Sequence, residues 1–190
     1  MTSAENAVAR AWELVDPIYR QPEGWRSPVT VQEWDPNIPR YSWASMGPVD
    51  HCGLSCNHLD HSIGLTMGVD FPDSAWTPSG YAWFRAMGRT VPLSQIQAGD
   101  TVYFSNSGSI NDITHVEKAV EDVRSDGGVL CVGWNTTSTG RGVARVRYAP
   151  YMVAAGRPAY REVIIVPDEE PEPTPPPTIS RARRVLVASL

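Results

Sequence analysis

The chain has 190 residues, of which 42% are hydrophobic and 19% charged. That is enough for one domain with a real core, and the composition excludes a disordered chain. A net charge of −5 excludes a nucleic-acid groove, since backbone phosphates require clustered Lys and Arg.

Taken in chain order, Met1 to Asp16 carries Glu5, Glu13 and Asp16 with no basic-then-apolar run, so no secretory signal is read there. No stretch anywhere approaches the roughly 18 apolar residues of a membrane span. Ser3 to Val15 sets Ala7, Val8, Ala11, Trp12 and Val15 at helical spacing, with Asp16-Pro17 as a stop. From Ile18 to Val49 the chain is rich in Pro and Trp, and Pro22, Pro28, Pro36, Pro39 and Pro48 oppose any long regular element. A segment this long without elements of its own reads as a functional or packed loop.

Asp50 to Ile63 predicts a helix, with Asp50 as N-cap and Gly64 at its end. Thr77-Pro78 opens another, with Thr at the cap and Pro at the first position, running through Trp83 to Gly88. The period then changes from helical to alternating. Thr101–Ser105, Ile113–Val123, Val129–Asn135 and Ala144–Tyr148 predict strands, with Asp126-Gly127-Gly128 as a tight turn. Helices first and sheet second is an α+β plan, with N-terminal helices packed on an antiparallel sheet of four to six strands. The seven tryptophans are spread along the chain and read mainly as packing residues, secondarily as walls of a groove.

At Pro167 the composition changes. Residues 167–178 form an acidic, proline-rich linker, extended near polyproline II. Residues 179–190 are basic and apolar, and fit a short helix, the start of a further domain or a tail. The folded unit is expected over residues 1–166.

Reactive side chains concentrate at one place. Two of the three cysteines and three of the four histidines lie between His51 and His61. An odd number of cysteines (Cys52, Cys56, Cys131) leaves at least one thiol free unless it pairs between chains. A cysteine in the first turn of a helix meets the positive end of the helix dipole and free backbone N–H groups, which favour thiolate. Cys52 has that position if Asp50 caps the helix. Cys56, one turn on, points inward, and Cys131 lies in an alternating strand as a core residue.

The nucleophile needs a base from elsewhere in the chain. His115, at a strand start beside Asn111, Asp112 and Thr114, is placed to face a cleft. If its strand pairs with the next through the Asp126-Gly127-Gly128 turn, Asn135 comes close and its side-chain oxygen can orient the imidazole. His58 and His61 read as solvent-facing or groove-lining. The bland counterparts are a buried thiol for Cys52, a structural histidine for His115 and a turn residue for Asn135.

Cys52 at a helix start, Gly99-Asp100 entering a hydrophobic strand, His115-Val116, then Asn135-Thr136-Thr137 make an ordered set. In that order and spacing the chain resembles the cysteine, histidine-dependent amidohydrolase/peptidase (CHAP) family, common as catalytic modules of phage endolysins. The likeness runs over about Tyr41 to Pro158, and Trp76 to Phe84 looks like the family's second helix. His51 stands where the family commonly has Trp or Tyr, and Ala98 stands where it has Pro. Thr114 and Glu117 replace the glycines around the histidine. Gly133-Trp134-Asn135 replaces Glu-Gly-Asn, which leaves Asn135, Asp112 or a water to orient His115.

The resemblance implies a papain-like fold and a peptidoglycan hydrolase without cofactor or metal, with Cys52, His115 and Asn135 as catalytic residues. The bond is either a peptide of the cross-bridge or the N-acetylmuramoyl-L-alanine amide. The expected protein is a monomer, tethered to a wall-binding domain or a virion. It would be made in the host cytoplasm and would reach the wall after holin-type release or as a virion component. Two other readings stand beside it. One is a zinc site from Cys52, Cys56, His58 and His61, whose crowding within one helix disfavours it. The other is a wall-binding module that has lost catalysis. Calcium ligands at Asp35, Asp50 and Asp60 are not expected, because no ordered acidic loop is visible.

Overall fold

The computed structural model describes residues 3–13, 51–134 and 143–160. The Pro/Trp-rich stretch, Asp50, Asn135 and the segments after residue 160 lie outside the described residues. Three helices come first: α1 (Ser3–Glu13), α2 (His51–Ser62) and α3 (Thr77–Ala86). Six strands follow: β1 (Thr90–Val91), β2 (Thr101–Phe104), β3 (His115–Ala119), β4 (Val129–Gly133), β5 (Val143–Arg147) and β6 (Met152–Gly156). They form one sheet in the order β1-β6-β2-β3-β4-β5, and every pairing is antiparallel. The α+β plan is therefore what the described residues adopt.

The two helices near the site use different start signals. α2 carries Cys52, Cys56 and Leu59 at positions i, i+4 and i+7, all buried in one cluster with Val116, Val132 and Trp134. α3 is capped by Trp76 rather than Thr77, and no side chain caps it. Pro78 occupies its first turn, where a missing N–H costs nothing.

Alternation sorts the strands onto two faces. Tyr103, Val116, Val120, Val132 and Ala154 pack against the helices. Val102, Phe104, Ala119, Val129, Cys131, Met152 and Ala155 form a second cluster on the other face. By the same parity His115 and Glu117, four and two residues before Ala119, belong to that second face.

The predicted strands prove shorter than the sequence pattern suggested. Ile113–Val123 shrinks to His115–Ala119, because after the Val120 N–H bond to the Leu130 carbonyl the chain leaves the ladder and turns at Asp126-Gly127-Gly128. There Gly127 has φ 81° and the Gly128 N–H donates to the Asp126 carboxylate at 2.8 Å. β1 and β6, at two and five residues, carried no clear alternation in the sequence. No helix among the described residues is long and apolar enough to cross a membrane.

Candidate active site

Helix α2 lies along β3 in the same direction. Near its start Cys52 neighbours His115, and near its end Asp60 accepts both hydrogen bonds of an ion pair from Lys118 at 2.9 Å. Eight helical residues rise about 12 Å, and three strand residues about 10 Å, so the two ties are matched in span. Lys118 is buried, and its third bond goes to Thr101 Oγ1 at 2.9 Å. Tyr160 closes the network by donating to Asp60 Oδ1 at 3.3 Å.

His115 opens β3 and Cys52 is the second residue of α2, so the two meet at the end of the sheet rather than through it. The imidazole Nε2 lies 3.2 Å from Glu117 Oε1. Glu117 is itself gripped by Arg147, whose Nε donates to Oε2 at 2.8 Å and whose Nη2 donates to Oε1. Burial pushes the Glu117 carboxyl up, but hydrogen bonds from Arg147 and His115 outweigh it and hold the group below its ordinary value. An ionised carboxylate only accepts hydrogen bonds, so Nε2 carries the proton. Nδ1 is then the ring nitrogen left for the Cys52 sulfur.

Burial also pulls His115 down, yet the hydrogen bonds to Cys52 and Glu117 and their charges prevail and push it up to about 9. The side chain keeps 18% of its surface exposed, so the ring is reachable from solvent. Cys56 and Cys131 differ sharply: both are buried, and burial pushes both thiols well above the ordinary range. Their reading as structural residues agrees with this placement. His58 does not agree with the sequence reading. It is buried, 4% exposed, because α2 is enclosed on every side from Cys52 to Asp60.

Of the predicted site residues, Cys52 and His115 come together, and Asn135 lies outside the described residues. Asp112 is exposed at the surface. The orienting carboxylate is Glu117, which the sequence reading noted only as a replacement for glycine. Two signals pointed to it: a spacing of two on one strand puts it on the same face as His115, and a glycine stands on the neighbouring strand. Lys118 pairs with Val132 and Ala119 with Cys131, so Gly133 falls opposite Glu117. A Cβ at position 133 would stand 2.4 Å from Glu117 Cγ.

Gly133→Ala is accordingly expected to displace Glu117 and slow Cys52-dependent chemistry by about 10²-fold, the cost of a small misplacement in a catalytic array. Alkylation of Cys52 by iodoacetamide, with a thermal melt alongside, checks this. An unchanged rate in a folded variant would show that Glu117 does not orient His115.

Gly53 plays a comparable part on α2. A Cβ there would lie 2.1 Å from the Ala75 carbonyl oxygen, so only glycine lets the loop before α3 pass the first turn of the helix. Asn57 Nδ2 ties the same loop down by donating to the Ser74 carbonyl at 3.0 Å. Trp76, the next residue on that loop, is 69% exposed.

Among the described residues no group of three or more His, Cys, Asp and Glu is gathered to hold a metal ion. Asp60, named with possible calcium ligands, is occupied by Lys118 instead. Comparison with protein-family models, with curated proteins and with solved structures gives no match.

Proposed function

We propose that the chain is a cysteine-dependent peptidoglycan hydrolase of the CHAP type on a papain-like fold. The observation that carries this reading is the row Cys52–His115–Glu117, in which the thiol, in the first turn of a helix, neighbours an imidazole bonded to a buried carboxylate. The order of motifs and the sheet that follows the helices support it further. Cys52 Sγ attacks the carbonyl carbon of a wall peptide or muramoyl amide. His115 delivers a proton to the departing amine, and water then hydrolyses the thioester with the same imidazole as base. Backbone N–H groups at the start of α2 are suited to the oxyanion. Trp76, on the loop against Gly53, offers an exposed aromatic surface near the nucleophile for the substrate.

A phage endolysin or a virion-associated lysin is the setting that fits this chemistry. The acidic, proline-rich stretch after Pro167 fits a tether to a wall-binding domain or virion. In the family pattern Asn135 is a further partner of His115, and Glu117 is suited to the orienting role.

The test is incubation of the protein with purified walls of Gram-positive bacteria, following turbidity, new amino groups and new reducing ends. New amino groups without reducing ends, lost when the protein is first treated with iodoacetamide, are expected. Wall binding with neither product would select the binding module instead. One equivalent of zinc per chain with no product would select the metal-site reading.

A further inference from the structure

We infer that Arg147 is a positioning residue of this site: by gripping both oxygens of Glu117 it keeps the carboxylate aimed at His115, and so sets the pH range over which Cys52 is reactive. The inference rests on the reading of Cys52 as nucleophile with His115 as its base.

Arg147 lies on β5, and β4 stands between it and Glu117 on β3. The guanidinium therefore has to cross a strand to reach its partner, and β4 offers Cys131 and Gly133 there, with little side chain to obstruct it. Its carbon also lies 5.0 Å from the centre of the Phe104 ring. The His115 ring packs on that same phenyl at 5.9 Å. One aromatic surface thus supports both the base and the arginine, while the arginine touches neither Cys52 nor His115. A two-point grip also fixes the orientation of a carboxylate, as a single ammonium does not.

The ionisable groups that act on this pair are few. Glu117 faces His115 on its own strand, Arg147 on β5 and Cys131 on β4. His115 faces Glu117 and Cys52, the latter from α2. The second α2 thiol, Cys56, and the Lys118–Asp60 pair sit on the helix side of the sheet. The neighbour from β2, Phe104, is apolar.

Glu117 has no exposed side-chain surface. Burial is the strongest influence on it and opposes its charge; the Arg147 hydrogen bonds are the strongest in favour. Without Arg147 the carboxyl protonates at higher pH, and a protonated Glu117 no longer supports the imidazolium. The imidazolium that faces Cys52 then loses its counter-charge from the acid side.

The experiment is alkylation of Cys52 by iodoacetamide, located by peptide mass, across a pH range of about 5 to 9. It needs no wall substrate. Arg147→Gln is expected to move the acid limb up by about one pH unit and to slow alkylation at about pH 6 by about tenfold. Arg147→Lys keeps the charge without the two-point grip and should fall between Arg147→Gln and wild type. A merely structural role would lower the melting temperature and leave the pH profile in place.

Reactive wild-type Cys52 with an unchanged profile in Arg147→Gln overturns the role of Arg147 and leaves the nucleophile standing. Should Arg147→Gln not fold, an Arg147→Lys profile identical to wild type overturns it equally. Wild-type Cys52 no faster than free cysteine at every pH overturns both this inference and the hydrolase reading.

Discussion

Cys52→Ala is expected to reduce the release of amino groups from walls by about 10⁴-fold or more, while Cys56→Ala stays within about threefold of wild type. The two thiols sit one helical turn apart on the same face of α2, so position along the helix has to separate them. Cys52 neighbours His115; Cys56 is enclosed in the core, where burial holds it as the thiol. Removing Cys56 leaves a small cavity and costs on the order of 1 kcal/mol of stability. It takes nothing from the reacting groups.

The same geometry fixes the alkaline side of the profile. His115 must be protonated to deliver a proton to the leaving amine, and its partners push it up to about 9. The proton donor is therefore present below about pH 9 and lost above it. Glu117→Gln removes an anion that raises His115, so the alkaline limb should move down toward the ordinary histidine range. Initial rates against pH for wild type, Cys52→Ala, Cys56→Ala and Glu117→Gln read all of this. Lysis by Cys52→Ala at the wild-type rate would end the thiol mechanism.

What the sequence disclosed was what depends on local pattern. The helix over α2 was legible from its start and stop signals, Asp50 and Gly64, and β2 to β5 were legible from their alternation. β1 escaped because two residues carry no period, and His58 was misplaced because a histidine among polar neighbours looks exposed until its helix face is known. The candidate nucleophile and base were legible as residue types at element starts. Glu117 was not identified as the third member, because a carboxylate two residues after a histidine gains meaning only when the next strand presents a glycine at the same level. Arg147 was less legible still: it is thirty residues from Glu117 and meets it across an intervening strand. Long-range polar pairs of this kind leave no periodic trace.

The sole lysine illustrates the same point and carries the largest expected effect on stability. Lys118→Met is expected to destabilise the fold by about 3–5 kcal/mol. The side chain fits by volume, but it leaves Asp60 buried without its cation. Burial already pushes the Asp60 carboxyl above its ordinary value, and Lys118 is what opposes that push. Tyr160 remains as a donor to Asp60, but a single neutral donor does not replace an ammonium that reaches both oxygens. For a domain of this size the loss corresponds to a fall in melting temperature of about 10 °C or more.

The effect should also reach the site. Asp60 and Lys118 tie the far end of α2 to β3, while Cys52 and His115 meet at the near end, so a helix released at Asp60 is free to slide along the strand. A folded Lys118→Met protein is therefore expected to alkylate Cys52 more slowly at neutral pH, by about tenfold or more. The double variant Lys118→Met/Asp60→Leu removes the stranded charge and should recover most of the melting temperature, since an apolar pair can replace a buried ion pair at little cost. It should not recover the alkylation rate to the same degree, because apolar contact fixes the position of a helix along a strand less sharply than a bonded pair does. Equal recovery of both would mean that packing alone sets the distance between Cys52 and His115.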